Sequence, residues 1–452
     1  MSTNRILQLT SNRYVLKILS GVGANTYGQL VTLLTQLISV PIFLSNWGVE
    51  IYGQWLIIST IPAYLMLSDF GVGTVAKNKM VMHAANNEEC ESRKVYNAAA
   101  IFTGLLSCLL LVSVIVVIST DVAKEFLAGD SFDENDVVIA IVFLLLQVIV
   151  GMFTNLKSAV YTVCRRYAEG MVFVHTARLF EVFLSLAALI LYGDIVSVAL
   201  AGFSGRVLIY SIMSIRLFWL TQTYYLYPSL SAFQSALSLL KLGGAFIIFP
   251  MGLAISIQGM TLVVGSILGA AAVAQFNAIR TLTRVLVQIG SIVNHSLWPE
   301  ITVAFQQNNQ ELLRGLWKNS LFFVAVSSSL ASLFLSIFSE EIFSMWLGEF
   351  ELDGALYGLM LFVAIMSASA QSSWIVLMAT NNHAKFAIYY ILTSILSVII
   401  AATLMPIIGV ISAGIGLLLS EIMVLVVSWK MSNQVMDSLG QRRNVSDRLN
   451  VS

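Results

Sequence analysis

The chain alternates between long apolar runs and short polar breaks. A helix needs about 20 apolar residues to cross about 30 Å of hydrocarbon. By that rule the pattern predicts twelve membrane helices. The first six lie near 24–45, 54–76, 98–119, 137–156, 170–192 and 195–218, and the second six near 244–268, 272–298, 316–338, 355–377, 386–405 and 407–429. The segment between the sixth and seventh, "WLTQTYYLYPSLSAFQSALSLLK", places serines at helical spacing among Leu and Phe, which predicts an amphipathic piece on the membrane surface. It divides the chain into an N-terminal six-helix lobe with its connector, residues 1–230, and a C-terminal six-helix lobe with its tail, residues 231–452. The reading "GVEIYGQW" from Gly48 aligns without gaps on "GAAAVAQF" from Gly269, at equivalent places in the two halves. Paired halves around a central cavity are a recurrent transporter plan.

Composition sharpens the class. Of 452 residues, 58% are hydrophobic and 11% charged, a balance that soluble domains do not show and polytopic membrane proteins do. The polar, mildly basic leader with Arg5, Arg13 and Lys17 precedes an apolar segment long enough to remain as a helix, so no cleaved signal is expected. Three cysteines without ligand spacing predict neither a metal site nor a disulfide framework. Nineteen of the 24 Lys and Arg residues fall on the side of the N-terminus, only Lys124 falls opposite, and four lie within spans. That asymmetry predicts both termini in the cytoplasm. Trp47, Trp219, Trp317, Trp346 and Trp429 fall near predicted interfaces, where an aromatic belt is expected.

The charges inside spans carry the candidate chemistry. In "QFNAIRTLTRVLVQIGSIVNHSLW", Asn277, Arg280, Arg284, Gln288, Ser291 and His295 recur at steps of three and four, one face of a helix. One arginine at mid-membrane costs roughly 2.5–3.5 kcal/mol on insertion scales, so the stripe should face protein or a wet cavity. A fixed positive face there suits an anionic solute. Its structural alternative is pairing with carboxylates that merely joins helices. Arg178 and Glu181, at i and i+3, are spaced to neutralise each other. Arg206 interrupts the sixth span among small residues, Asp69 closes the second in "LSDFGVGT", and Glu421 lies inside the twelfth. Asp69, Glu181 and Glu421 are candidates for ion coupling or gating, and equally for helix packing. No P-loop, zinc spacing or dinucleotide fingerprint is present, so transport would run on a proton or sodium gradient, on the substrate gradient, or on a separate subunit.

In "QLISVPIFLSNWGVEIYGQWLIISTIPAYLMLSDFGVGTVAKNKM", the residues Pro41, Trp47-Gly48, Tyr52-Gly53, Trp55 and Ser68-Asp69-Phe70-Gly71 resemble the opening of Wzx-type O-antigen flippases. These form the polysaccharide-transport branch of the MOP superfamily. The segment "FNAIRTLTRVLVQ" and the following Trp298-Pro299-Glu300 are also similar to that family. The resemblance implies a MATE-like bundle of two lobes around a central cavity in the inner membrane of a Gram-negative bacterium. It implies a flippase rather than an enzyme. The substrate would be an undecaprenyl-pyrophosphate-linked oligosaccharide, moved from the cytoplasmic to the periplasmic leaflet by alternating access. No cofactor is implied; the partners are membrane lipid and other proteins of O-antigen assembly, and no nucleic acid. Arg280 or Arg284 and Asp69 match the family's intramembrane charges, with Asn277, Gln288, Arg206 and Arg178 as further substrate-binding candidates. A cation-coupled multidrug antiporter of the same superfamily is the competing reading, although an arginine excess suits cationic drugs poorly. A polymerase or ligase of O-antigen assembly is less favoured, because every outer loop is under about 20 residues.

Overall fold

The structure is a computed structural model. It describes the backbone at residues 3–69, 71–118, 120, 127, 129, 131–221, 224, 235, 239, 247–348, 352–380 and 382–449. Helices α1 to α4 span Thr3–Ile58, Thr60–Leu65, Val72–Ala85 and Glu89–Ile118. They are followed by α5 (Glu134–Val163), α6 (Tyr167–Tyr192) and α7 (Ile195–Leu220). Then come α8 (Ile247–Leu268), α9 (Ala270–Gln306), α10 (Gln310–Ile337) and the short α11 (Ser339–Leu347). The last are α12 (Gly354–Ala379), α13 (Ala384–Ile408) and α14 (Ile411–Leu449). Among the described residues there is no strand, and ten helices are long and apolar enough to cross a membrane. The chain is an all-α, multi-pass membrane protein.

At the described residues each of the twelve expected spans falls on helix, with two departures. α9 is not among those ten, because its polar stripe lowers its hydropathy. The second expected span is broken: it runs through the end of α1, all of α2, a 3-10 turn at Met66–Asp69, and the start of α3. Gly71, at φ 71°, starts α3 from a left-handed conformation that only glycine adopts without strain. The side chain of Asp69, like most of the expected surface connector, lies outside the described residues.

The chain divides into two compact units, residues 1–47 with 58–247 and residues 48–57 with 248–452. They differ from the halves expected above at 48–57 and 231–247. In the first unit, Val75 and Met80 of α3, Tyr96 of α4, Val160 and Tyr161 of α5, Met213 of α7 and Leu239 form one core. Polar atoms inside it are satisfied locally, as hydrocarbon demands. The Ser92 hydroxyl donates to Met80 O at 3.1 Å, and Tyr161 Oη donates to Met213 O at 3.1 Å. In the second unit, Trp317 of α10, Ile301 of α9, Ile375 and Val376 of α12 and Met436 of α14 share a core. Here α12 contributes a buried run of small residues, including Ala368, Ser369, Ala370, Ser372 and Ser373, that lets backbones approach closely.

Two of the belt tryptophans are interior instead. Trp47 is buried and donates through Nε1 to Gly193 O at 2.5 Å, and Trp317 is 1% exposed and donates to Ser373 O at 3.2 Å. Each ring finds a carbonyl within its own unit, which removes the reason to seek the headgroup layer.

Candidate functional site

The site is assembled on α9, in the second unit. α9 starts at Gly269, whose φ of 86° and ψ of 177° turn the chain sharply after α8. Gly48 has nearly the same conformation, φ 73° and ψ −177°, at the kink of α1. These are the two glycines that the aligned octapeptides share, so the internal repeat extends to backbone geometry. Residues 48–57 pack in the second unit, and Gly53 lies so close to α9 that a Cβ there would stand 1.8 Å from Ala270 O. Only glycine fits that crossing. It brings the buried Tyr52 hydroxyl to Asn277, whose Nδ2 donates to it at 3.1 Å.

Asn277 in turn orients Arg280. Arg280 Nη2 donates to Asn277 Oδ1 at 3.0 Å and to Thr261 Oγ1 at 3.2 Å, and Nη1 donates to Ile257 O at 2.9 Å. Its guanidinium also lies 5.0 Å from the centroid of the Phe276 ring. Ile257 sits inside a π-helical turn, Ile255–Gly259, within α8. Its carbonyl accepts the backbone N–H of Met260 and still has a lone pair for side-chain donors. Thr261 Oγ1 donates to the same carbonyl at 2.9 Å. These bonds use three of the five guanidinium N–H groups. Among the described residues no carboxylate lies within ion-pair distance of Arg280, so its charge is not cancelled locally.

Arg280 and, one turn on, Arg284 line a cavity with about 110 Å³ accessible to water. α8 contributes Ser256 and Ile257; α12 contributes Ser367, Gln371 and Trp374; α13 contributes Tyr390 and α14 Glu421. The buried Oε2 of Glu421 has no hydrogen-bond partner. Trp374 and Tyr390 belong to an aromatic cluster with Phe249 and Phe386; Phe249 and Tyr390 lie 4.7 Å apart. The stripe therefore splits. Arg280 and Arg284 reach the cavity and Asn277 supports Arg280, whereas Gln288 and Ser291, half-buried, are not among the lining residues. The side chain of His295 lies outside the described residues.

The remaining candidates lie in the first unit, with a different pairing from the one expected. Glu181 takes Arg206, not Arg178: Arg206 Nη2 stands 2.5 Å from Glu181 Oε2, and Nη1 donates to Gln147 O at 3.1 Å. The physical reason is burial. Arg206 and Glu181 are 12% and 18% exposed and offset each other's desolvation, whereas the Arg178 side chain points out of the unit's interior.

Thr261, Ser367, Gln371, Trp374 and Tyr390 were not singled out from the sequence, and Tyr52 entered only through the family resemblance. Ser367, Gln371 and Trp374 follow at steps of four and three in "SASAQSSW", a polar stripe that the spacing does reveal. The role of Ile257 had no signal, since a backbone carbonyl leaves none. Among the described residues no group of His, Cys, Asp and Glu is placed to hold a metal ion.

No family model matches the chain. Over 116 residues it is 27% identical to a Yersinia pseudotuberculosis protein described as "Putative O-antigen export protein", a match covering 25% of this chain and 26% of that one. The chain thus spans about a quarter of the length of this curated relative. Among solved structures it is similar to the inward-facing conformation of a multidrug resistance MATE family transporter of the MOP superfamily. That likeness has a TM-score of 0.75 at 13% identity, over 90% of this chain and 96% of the other. It is also similar to a MOP superfamily transporter from Pyrococcus furiosus, with a TM-score of 0.66 at 14% identity over 94% and 96%. The binding pocket of that protein is described as having reverse polarity, suggesting a different function. These likenesses show that the chain has the fold of MOP-superfamily transporters.

Proposed function

We propose that this protein is a flippase for a lipid-linked glycan, moving an undecaprenyl-pyrophosphate-linked oligosaccharide from the cytoplasmic to the periplasmic leaflet of a bacterial inner membrane. The observation that carries the reading is the pair of arginines on one face of α9, both lining one cavity, with no carboxylate against Arg280. Guanidinium groups bind phosphate and carboxylate through forked donors, and at membrane depth the attraction is weakly screened. The curated relative's description as an O-antigen export protein supports a glycan cargo, and the Pyrococcus transporter is a case in which pocket polarity is read as a sign of function. In this reading both termini are cytoplasmic, as the distribution of basic residues implies. The arginines hold the anionic head while the lipid tail stays in the bilayer. The exposed Arg178 is a second contact for the head, and the Arg206–Glu181 pair holds α6 to α7. Glu421 and Asp69 are the carboxylates available for coupling to a proton or sodium ion.

The competing reading, a cation-coupled multidrug antiporter, draws on Glu421 and on the aromatic wall of the same cavity, which together suit an organic cation. Two arginines against one glutamate weigh against it. The test is complementation: in a strain deleted for the gene, the double variant Arg280→Ala, Arg284→Ala at wild-type membrane abundance should leave lipid-linked units on the cytoplasmic leaflet and abolish surface polysaccharide. Normal polysaccharide from that variant would end the anionic-head reading. Drug resistance that requires Glu421 and neither arginine would establish the antiporter.

A further inference from the structure

In the first unit, Lys157 of α5 is a half-buried cation held without a counter-charge among the described residues. Its Nζ lies 4.0 Å from the centroid of the Tyr210 ring and donates to the Ser214 hydroxyl. Ser214 gives its own proton to Tyr210 O at 2.5 Å. A ring face and a hydroxyl hold an ammonium without cancelling its charge, and they leave it a further N–H to donate. The carboxylates of the surrounding helices are elsewhere. α7 has none, those of α5 are Glu134 and Asp136 at its opposite end, and the two of α6 pair with Arg166, Arg206 and Arg216.

Two largely apolar rows lead to Lys157. On α5, Leu146, Val150, Phe153 and Lys157 follow at steps of four, three and four, all half-buried. Leu144, Leu145, Val148 and Met152, on the other side of that helix, are buried. On α7, Phe203, Val207, Tyr210 and Ser214 repeat the same steps and the same half-burial. The rows run side by side: the Phe143 and Phe203 rings lie 6.0 Å apart at one end, and Lys157 reaches Tyr210 and Ser214 at the other. Arg206, donating to Gln147 O, ties the two helices together between those ends.

Depth narrows what fits. α5 continues to Val163, about 9 Å beyond Lys157, and a headgroup layer is about 5–8 Å deep. The ammonium therefore stands near the boundary of hydrocarbon and headgroups, where Phe218 and Trp219 of α7 are also exposed. From Phe143 to Lys157 the helix rises about 21 Å, enough for the acyl chains of one leaflet, which occupy about 15 Å. A lipid phosphate arrives at this depth with an apolar chain attached and matches both features; free phosphate matches only the ammonium.

We propose that this face of α5 and α7 is a binding site for an anionic phospholipid, with Lys157 taking the headgroup phosphate and the two rows taking one acyl chain. In the orientation argued above, the lipid belongs to the cytoplasmic leaflet. The binding itself depends neither on that orientation nor on the identity of the transported cargo.

The test uses the full chain in neutral detergent, with bound lipid measured by native mass spectrometry. Phosphatidylglycerol should bind about fivefold more tightly than phosphatidylcholine, the worth of one lysine at an anionic membrane surface, and inorganic phosphate should not displace it. Lys157→Met keeps the apolar stem and should bind the two lipids equally, while Lys157→Arg keeps most of the preference. Lys77→Met is the matched control and should keep it entirely, since Lys77 lies 5.1 Å from the Tyr167 ring, away from both rows. Val207→Trp fills one row and should weaken both lipids alike. Equal binding of the two lipids by wild type overturns the proposal, as does a Lys157→Met variant that retains the preference. Tighter binding of undecaprenyl phosphate than of phosphatidylglycerol would make the face a route for cargo and also overturns it. None of these failures touches the transport reading, which the complementation experiment tests on Arg280 and Arg284.

Discussion

Replacing either member of the Arg206–Glu181 pair should destabilise the first unit far more than replacing both. The two charges stand 2.5 Å apart at 12% and 18% exposure, and Arg206 is further tied to Gln147 O. At an effective dielectric of about 20, unit charges 4 Å apart attract by about 4 kcal/mol, and removing one partner of a buried pair typically costs about 3–5 kcal/mol. Most of that cost is the stranded charge, so Arg206→Met and Glu181→Gln should each lose about 3 kcal/mol, with the double variant within about 1 kcal/mol of wild type. The assay is reversible unfolding of the purified protein in mixed micelles with rising SDS, followed by helicity, on wild type, both single variants and the double variant. The coupling free energy from this cycle should be about 5–7 kcal/mol. Single losses that simply add, within about 0.5 kcal/mol, would show that the pair is not coupled. Arg178→Gln, in the same background, should leave stability unchanged, because among the described residues its exposed side chain pairs with no carboxylate.

Two other perturbations test the frame around the site. Gly53→Val would place a Cβ 1.8 Å from Ala270 O and 2.4 Å from its carbonyl carbon, backbone atoms that cannot yield, so folded protein in the membrane should fall severalfold; Gly23→Ala, with nothing within 4 Å, is the matched control and should express normally. Asp194 caps α7 by accepting from Ser197 N at 2.7 Å. Partial burial raises its pKa, but the hydrogen bonds from Ser197 and Val196 outweigh it and hold the carboxyl below its ordinary value. A lowered folded-state pKa means stability that is present above the ordinary carboxylate range and lost as pH falls through the lowered value. Asp194→Asn should therefore flatten the acid arm of the pH–stability curve at a loss of no more than about 1 kcal/mol at neutral pH; an unchanged acid arm refutes the cap.

Much of the architecture was legible because hydropathy and helix length are dictated by the bilayer, and at the described residues the twelve apolar runs fall on helix apart from the break in the second. The break in the second run was less so: the 3-10 turn at Met66–Asp69 lies in continuous apolar sequence, with only "DFG" to mark it. Interior arginines were easy to find and hard to pair. Arg178 and Glu181 have the local spacing of a pair, yet burial couples Glu181 to Arg206 25 residues away, and no local spacing encodes a contact between helices. The tryptophans failed for the same reason. Trp47 and Trp317 sit where an interface was expected, and neighbouring carbonyls hold them inside.

The two arginines of α9 are equivalent by spacing and different in place. Arg280 is fixed from three directions: the carbonyl that the π turn of α8 presents, the Thr261 hydroxyl and the Asn277 amide, itself anchored on Tyr52. None of these acceptors is a full negative charge, so they position the guanidinium without cancelling it. A positive charge held by dipoles keeps its field, and that field acts on whatever enters the cavity. The Ile257 carbonyl is shared: it accepts the backbone N–H of Met260 and the Thr261 hydroxyl as well as Arg280. The second unit thus carries, at membrane depth, a charge held by shared dipoles rather than by a carboxylate.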